Sequence, residues 1–138
     1  MTDLHFNIDE QVTFLLENAK GLDRKILNVS ELKEIDYITG IKEVIKFLNL
    51  ISGYQQKLTP SLIVDLIWHE LILFTECYTN FCQKYYSKYI HHHPGGDESS
   101  NQRQYQQTLK LLTLTYGQNS DHFWPGSHKM NHQCGSCS

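Results

Sequence analysis

The sequence predicts an all-α fold, a small orthogonal bundle of four to five helices with a flexible C-terminal tail. Apolar residues recur at steps of three and four along several stretches, which is the period of a helix buried on one face. No run of alternating β-branched residues is long enough for a sheet. At 138 residues the chain is one domain by size. We therefore divide it into a helical domain, residues 1–125, and a tail that contains His and Cys, residues 126–138.

The charge balance argues against nucleic acid as a partner. Twelve Lys and Arg stand against fifteen Asp and Glu, and no basic cluster occurs along the chain. The N-terminus lacks the pattern of a signal peptide, and the most apolar stretch is too short to span a bilayer. We therefore expect a cytoplasmic protein without a membrane partner, while a protein partner stays open. In that location the four cysteines would be thiols or metal ligands.

The first half of the chain contains two predicted helices. One carries apolar residues from Val12 to Ala19 and stops at Gly21. A charged connector, residues 22–28, follows it. Ser30 then begins a longer helix, and its apolar positions are Leu32, Ile35, Ile38, Ile41, Ile45 and Leu48.

The stretch at residues 62–74 is predicted to be the central and most buried helix. Thr59 is a good N-cap, and Pro60 suits the first helical position. After them, apolar side chains occupy nearly every direction around the helix. A helix that is apolar all round belongs in the middle of a fold.

One narrow polar stripe interrupts this helix. Ser61, Asp65 and His69 are spaced i, i+4, i+8 and lie on one side of it. Asp65 could accept a hydrogen bond from one ring nitrogen of His69, which would leave the other nitrogen free to bind a metal or move a proton. The alternative is that the stripe is simply the face turned to solvent.

The central helix is predicted to break near Thr75. Thr75 and Glu76 look like a new N-cap and first turn, and a second helix would then carry Cys82. On one straight helix His69 and Cys82, thirteen residues apart, would point about 220° away from each other. They can converge only if the helix breaks between them.

His69, Cys82 and one or more of His91, His92 and His93 form the candidate metal site. Imidazole and thiolate are ligands that suit zinc or another late transition metal. The H-E-x-x-H zinc motif is absent, because Leu73 stands where its second His would be. The alternatives are that Cys82 is a small core residue and that the His run is a solvated loop.

A last helix carries Tyr105, Leu109, Leu112 and Tyr116, and the tail follows it. The tail offers a second set of soft ligands, which are His128, His132, Cys134 and Cys137. We favour metal capture by this flexible segment over redox work by its Cys-x-x-Cys pair. The alternative is a disordered tail with incidental thiols.

Asp65, Trp68-His69, Tyr78 and Cys82, with a later His such as His92, together resemble the N-terminal domain of the glycine-rich domain-containing proteins. The resemblance covers about residues 61–93. It implies that these side chains form one recurring constellation and strengthens the expectation of a metal or other functional site there. For a metal site we expect His69, Cys82, His91 and His92 as ligands. In such a site, Asp65 and Tyr78 would lie next to the ligands and orient them without binding the metal. The resemblance brings no biochemical activity with it.

These features support three hypotheses of function. The first is a small metal-binding protein, with zinc as the expected ion. The second is a protein-interaction module, in which Trp68, Tyr78 and Cys82 only pack the core. The third is an enzyme in which His69 activates a Cys82 thiolate, and whether the protein is an enzyme stays open.

Overall fold

The computed structural model of this protein describes residues 5–93, 96–117 and 119–126. These residues form six α-helices and no strand. The helices are α1 (Ile8–Asn18), α2 (Leu22–Leu27), α3 (Tyr37–Tyr54), α4 (Leu62–Ile72), α5 (Thr75–Tyr86) and α6 (Glu98–Tyr116), with a 3₁₀ turn at Ser30–Leu32 before α3. The predicted all-α class is confirmed. The helix beyond the expected number is α2, which forms in the predicted charged connector because Leu22 and Ile26 are fully buried.

Helix α3 occupies the centre of the bundle and packs against α1, α4 and α6. The prediction that residues 62–74 form the most buried helix is wrong. Helix α4 buries one face, through Val64, Ile67, Trp68 and Leu71, whereas Leu62 is 69% exposed. An apolar circumference shows that a helix has several faces that can be buried, but its neighbours decide which of them are covered.

Gly40 lets α3 and α4 approach each other closely. A Cβ atom at Gly40 would lie 3.0 Å from the Cδ1 atoms of both Ile35 and Ile67. Glycine inside a helix costs about 1 kcal/mol relative to alanine. Here that cost is offset by close packing between the central helix and the helix that carries the polar stripe.

Ser61 is the N-cap of α4, and the prediction of Thr59 in that role is wrong. The Ser61 side-chain oxygen accepts a hydrogen bond from the Val64 N–H at 3.1 Å. The Thr59 hydroxyl instead donates to the side-chain carbonyl of Gln104 in α6. The first member of the predicted polar stripe is thus a buried helix cap.

Replacing Ser61 by alanine is expected to lower the free energy of unfolding by about 1 kcal/mol, because it removes the acceptor for an N–H at the helix start. Urea denaturation followed by circular dichroism measures the loss. Ser61→Thr keeps the acceptor and serves as the matched control. A larger loss in Thr59→Ala than in Ser61→Ala would contradict this assignment.

The predicted helix break near Thr75 is confirmed. Helix α4 ends at Ile72 and α5 begins at Thr75. The last turn of α4 tightens, since the Leu73 N–H reaches back to the Glu70 carbonyl. Phe74 occupies the N-cap position of α5 without a side-chain cap, so the predicted capping by Thr75 is wrong.

The segment after α6 packs back onto α3. Phe123 is buried and Trp124 is fully buried, with the indole N–H donating to a Glu43 carboxylate oxygen at 2.7 Å. The Tyr105 hydroxyl donates to the Pro125 carbonyl at 2.7 Å. These contacts make the segment up to Pro125 a packed part of the helical domain. Of the predicted tail, only Gly126 lies within the described residues.

Candidate functional site

A cleft of about 1000 Å³ opens at one end of the bundle. Its walls come from the α3–α4 connection and first turn of α4 (residues 55–62), the segment after α5 (residues 88–93), and the first turns of α6. Asp65 and Trp68 of α4 also line it. Ser61 and Asp65, the first two residues of the polar stripe, therefore line this cleft.

Asp65 and His92 form the closest polar pair in the cleft. The carboxylate Oδ1 atom and the ring Nε2 atom are 2.6 Å apart, and their side chains are 37% and 18% exposed. A carboxylate accepts, so the ring N–H of His92 donates. The sequence suggested His69 as the partner of Asp65. The structure pairs Asp65 with His92 because the segment after α5 turns back over α4.

A chain of hydrogen bonds holds that segment in place. The indole N–H of Trp68 donates to the Tyr78 hydroxyl at 3.0 Å, and this hydroxyl donates to the Ile90 carbonyl at 2.7 Å. Burial raises the pKa of Tyr78, so its hydroxyl keeps the proton that it donates. The His92 ring packs on the Trp68 indole, with centroids 4.5 Å apart. Tyr78 thus positions His92 through the backbone.

Cys82 lies under this segment and has no exposed surface. Burial raises the pKa of its thiol, although the Ile90 N–H and the Tyr78 hydroxyl act in the opposite direction. A reactive or ligating cysteine needs a lowered pKa and access. The structure groups Cys82 with Tyr78 and Ile90 in the core, and His69 is exposed on α4.

The histidines of α4 and of the segment after α5 form two groups. The rings of His69 and His92 have centroids 6.0 Å apart. His91 packs instead on Tyr89 at 4.7 Å, and its centroid is 6.0 Å from that of His93. Neighbouring residues of an extended segment point to opposite sides, which explains the division.

No group of three or more His, Cys, Asp or Glu side chains is arranged to hold a metal ion within the described ranges. The tail candidates His128, His132, Cys134 and Cys137 lie outside those ranges. Among the described helices, none is long and apolar enough to cross a membrane.

Several cleft residues cannot be identified as site residues from the sequence. Lys57, Lys88, Asn101 and Gln104 line the cleft but come from separate segments and belong to no motif. Such residues become recognisable only when folding brings their segments together.

The comparisons with known proteins correct the resemblance. The model of the UCP032817-like family matches residues 8–121, which include every helix from α1 to α6. No curated protein and no solved structure matches the chain. Assignment to the glycine-rich domain-containing proteins is therefore wrong, because it rested on a few positions within residues 61–93. The chain belongs to the UCP032817-like family.

Proposed function

We propose that this protein binds a late transition metal ion, zinc, between His69 and His92 at the edge of the cleft. The observation that carries the proposal is one imidazole fixed by a carboxylate, with a second imidazole beside it. Asp65 holds His92 at 2.6 Å, and the His69 ring has its centroid 6.0 Å from that of His92.

Asp65 selects the tautomer of His92. When the Nε2–H donates to the carboxylate, the Nδ1 atom of a neutral ring carries the free lone pair. Metal-binding histidines commonly donate their other ring N–H to a carboxylate, which fixes the ring and raises its basicity. The packing of His92 on Trp68 limits the ring further.

The spacing of the two rings suits a shared ion. Two imidazoles that bind one zinc ion through Zn–N bonds of about 2 Å have ring centroids about 5 to 6 Å apart. His69 is exposed, so its ring can rotate toward the ion without disturbing the core. Cys82 is left out of the ligand set, because its buried neutral thiol would have to leave the core.

The other coordination positions are open to water or to the tail. In this proposal His132, Cys134 and Cys137 of the tail are the candidate ligands for these positions. The proposal assumes a reducing compartment such as the cytoplasm, where these cysteines stay thiols. Water at an open position would allow catalysis without establishing it.

Zinc binding is tested on the full chain without an affinity tag, by competition with a chromophoric chelator under reducing conditions. We expect one zinc per chain. Both His92→Ala and His69→Ala should abolish stoichiometric binding, since each removes a ligand. Asp65→Asn should weaken binding by about ten- to a hundredfold, as changes behind a ligand typically do.

His91→Ala is the matched control, because it removes a neighbouring imidazole that packs on Tyr89 rather than beside His92. It should keep full zinc content. Unchanged binding in both His92→Ala and His69→Ala would refute the proposed site. Absence of zinc from the wild-type chain would leave the protein-interaction module as the better hypothesis.

A further inference from the structure

The charge of the cleft is opposite to that of the whole chain. The chain has a formal net charge of −3. Among the described residues, however, the cleft lining contains Lys57 and Lys88 but only one carboxylate, Asp65, which accepts a hydrogen bond from His92. Neither lysine has an ion-pair partner among the residues that the structure describes. A concave surface with unpaired cations concentrates anions.

The neutral groups of the lining add hydrogen-bond donors. The side-chain carbonyl of Gln104 accepts from Thr59, and that of Gln56 accepts from Gln107. Both amide NH₂ groups are thereby left to donate. Ser100 and Asn101 line the same wall as Gln104. These groups suit a ligand that is rich in acceptor oxygens.

The size and shape of the cleft exceed the needs of a free inorganic ion. Its volume of about 1000 Å³ is in the range that accepts a small organic molecule. Tyr89 and Leu62, 36% and 69% exposed, supply aromatic and apolar surface beside the lysines. A suitable ligand therefore combines a compact anionic group with a flat apolar one.

We propose that the cleft binds a small organic phosphate monoester, with Lys57 and Lys88 on the phosphate and Tyr89 beside its organic group. Two lysines match the nearly double negative charge of a monoester better than the single charge of a carboxylate. The two proposed sites share one cleft but no side chain that binds the ligand, since neither lysine nor Tyr89 is among the metal ligands.

The test uses phenyl phosphate as the probe, added to the full chain at low salt and followed by NMR shifts of backbone amides. Saturable shifts are expected in residues 55–57, 88–93 and 100–104. Lys57→Gln and Lys88→Gln should each weaken binding by about tenfold, because each removes a charged hydrogen-bond donor. Lys110→Gln, an exposed position of α6 outside the cleft, should leave affinity unchanged.

Phenol and benzoate measure the contribution of the phosphate. Binding at least about tenfold weaker for both is expected, and equal binding of either would overturn the assignment. Unchanged affinity in the Lys57→Gln/Lys88→Gln double variant would also overturn it. His69→Ala should keep phenyl phosphate binding while losing zinc. Loss of both ligands in that variant would assign the phosphate to the metal ion and refute a separate site.

Discussion

Replacing Trp124 by alanine is expected to lower the free energy of unfolding by about 3 to 5 kcal/mol. The Trp124 side chain is fully buried and packs against Phe47 of the central helix, with centroids 6.1 Å apart. Its removal leaves a cavity there. The loss also deprives the buried Glu43 carboxylate of a donor at 2.7 Å. Among the described residues, Lys46 then remains as its partner, with the Nζ atom 3.2 Å from the Oε2 atom.

Urea denaturation followed by circular dichroism measures this loss. Trp124→Phe keeps most of the ring but removes the N–H, and a loss of about 1 to 3 kcal/mol is expected. A chain that ends after Gly126 is the second control, measured in metal-free buffer. It should stay within about 0.5 kcal/mol of the full chain, because residues 127–138 carry few apolar side chains. A loss in this truncated chain as large as in Trp124→Ala would contradict the boundary.

Raising the pH above about 9 is expected to destabilise the protein steeply. Burial raises the pKa of Cys82, Tyr78 and Tyr86 above their ordinary values of 9.0 for the thiol and 10.0 for the phenols. The folded state then keeps protons that the unfolded state releases. The stabilisation is complete below the unfolded pKa and is lost as the pH rises toward the folded one. Each group contributes up to about 1.4 kcal/mol per pH unit in that window.

Tyr86 is a suitable position for testing this pH dependence. Its hydroxyl donates to the Asn49 side-chain carbonyl at 2.6 Å, inside a buried polar network that also includes Gln11. Tyr86→Phe should lower the free energy of unfolding at neutral pH. Above pH 10, the free energy of unfolding of this variant should fall less steeply with pH than that of the wild type, by the equivalent of about one proton. An unchanged slope in Tyr86→Phe would contradict this account.

The helical period was enough to predict the class of fold and several helices. Leu109 and Leu112 recur on one face, and both are fully buried in α6. The break before α5 was also predicted near Thr75, although Phe74 and not Thr75 occupies the N-cap position. Both features depend on neighbouring residues, so the sequence carries their signal locally. Periodicity did not identify α3 as the central helix, because it marks an apolar face without naming the element that covers it.

The candidate site depended on tertiary structure. The sequence singled out Asp65, His69 and the His run, but His92 lies 27 positions after Asp65 and its two neighbours are also His. Only the return of the segment over α4, fixed by Tyr78 at the Ile90 carbonyl, selects His92. Cys82 shows the same limit of what the sequence can predict. A thiol that ligates and a thiol that packs have the same residue name, and their difference is burial, which distant parts of the chain decide.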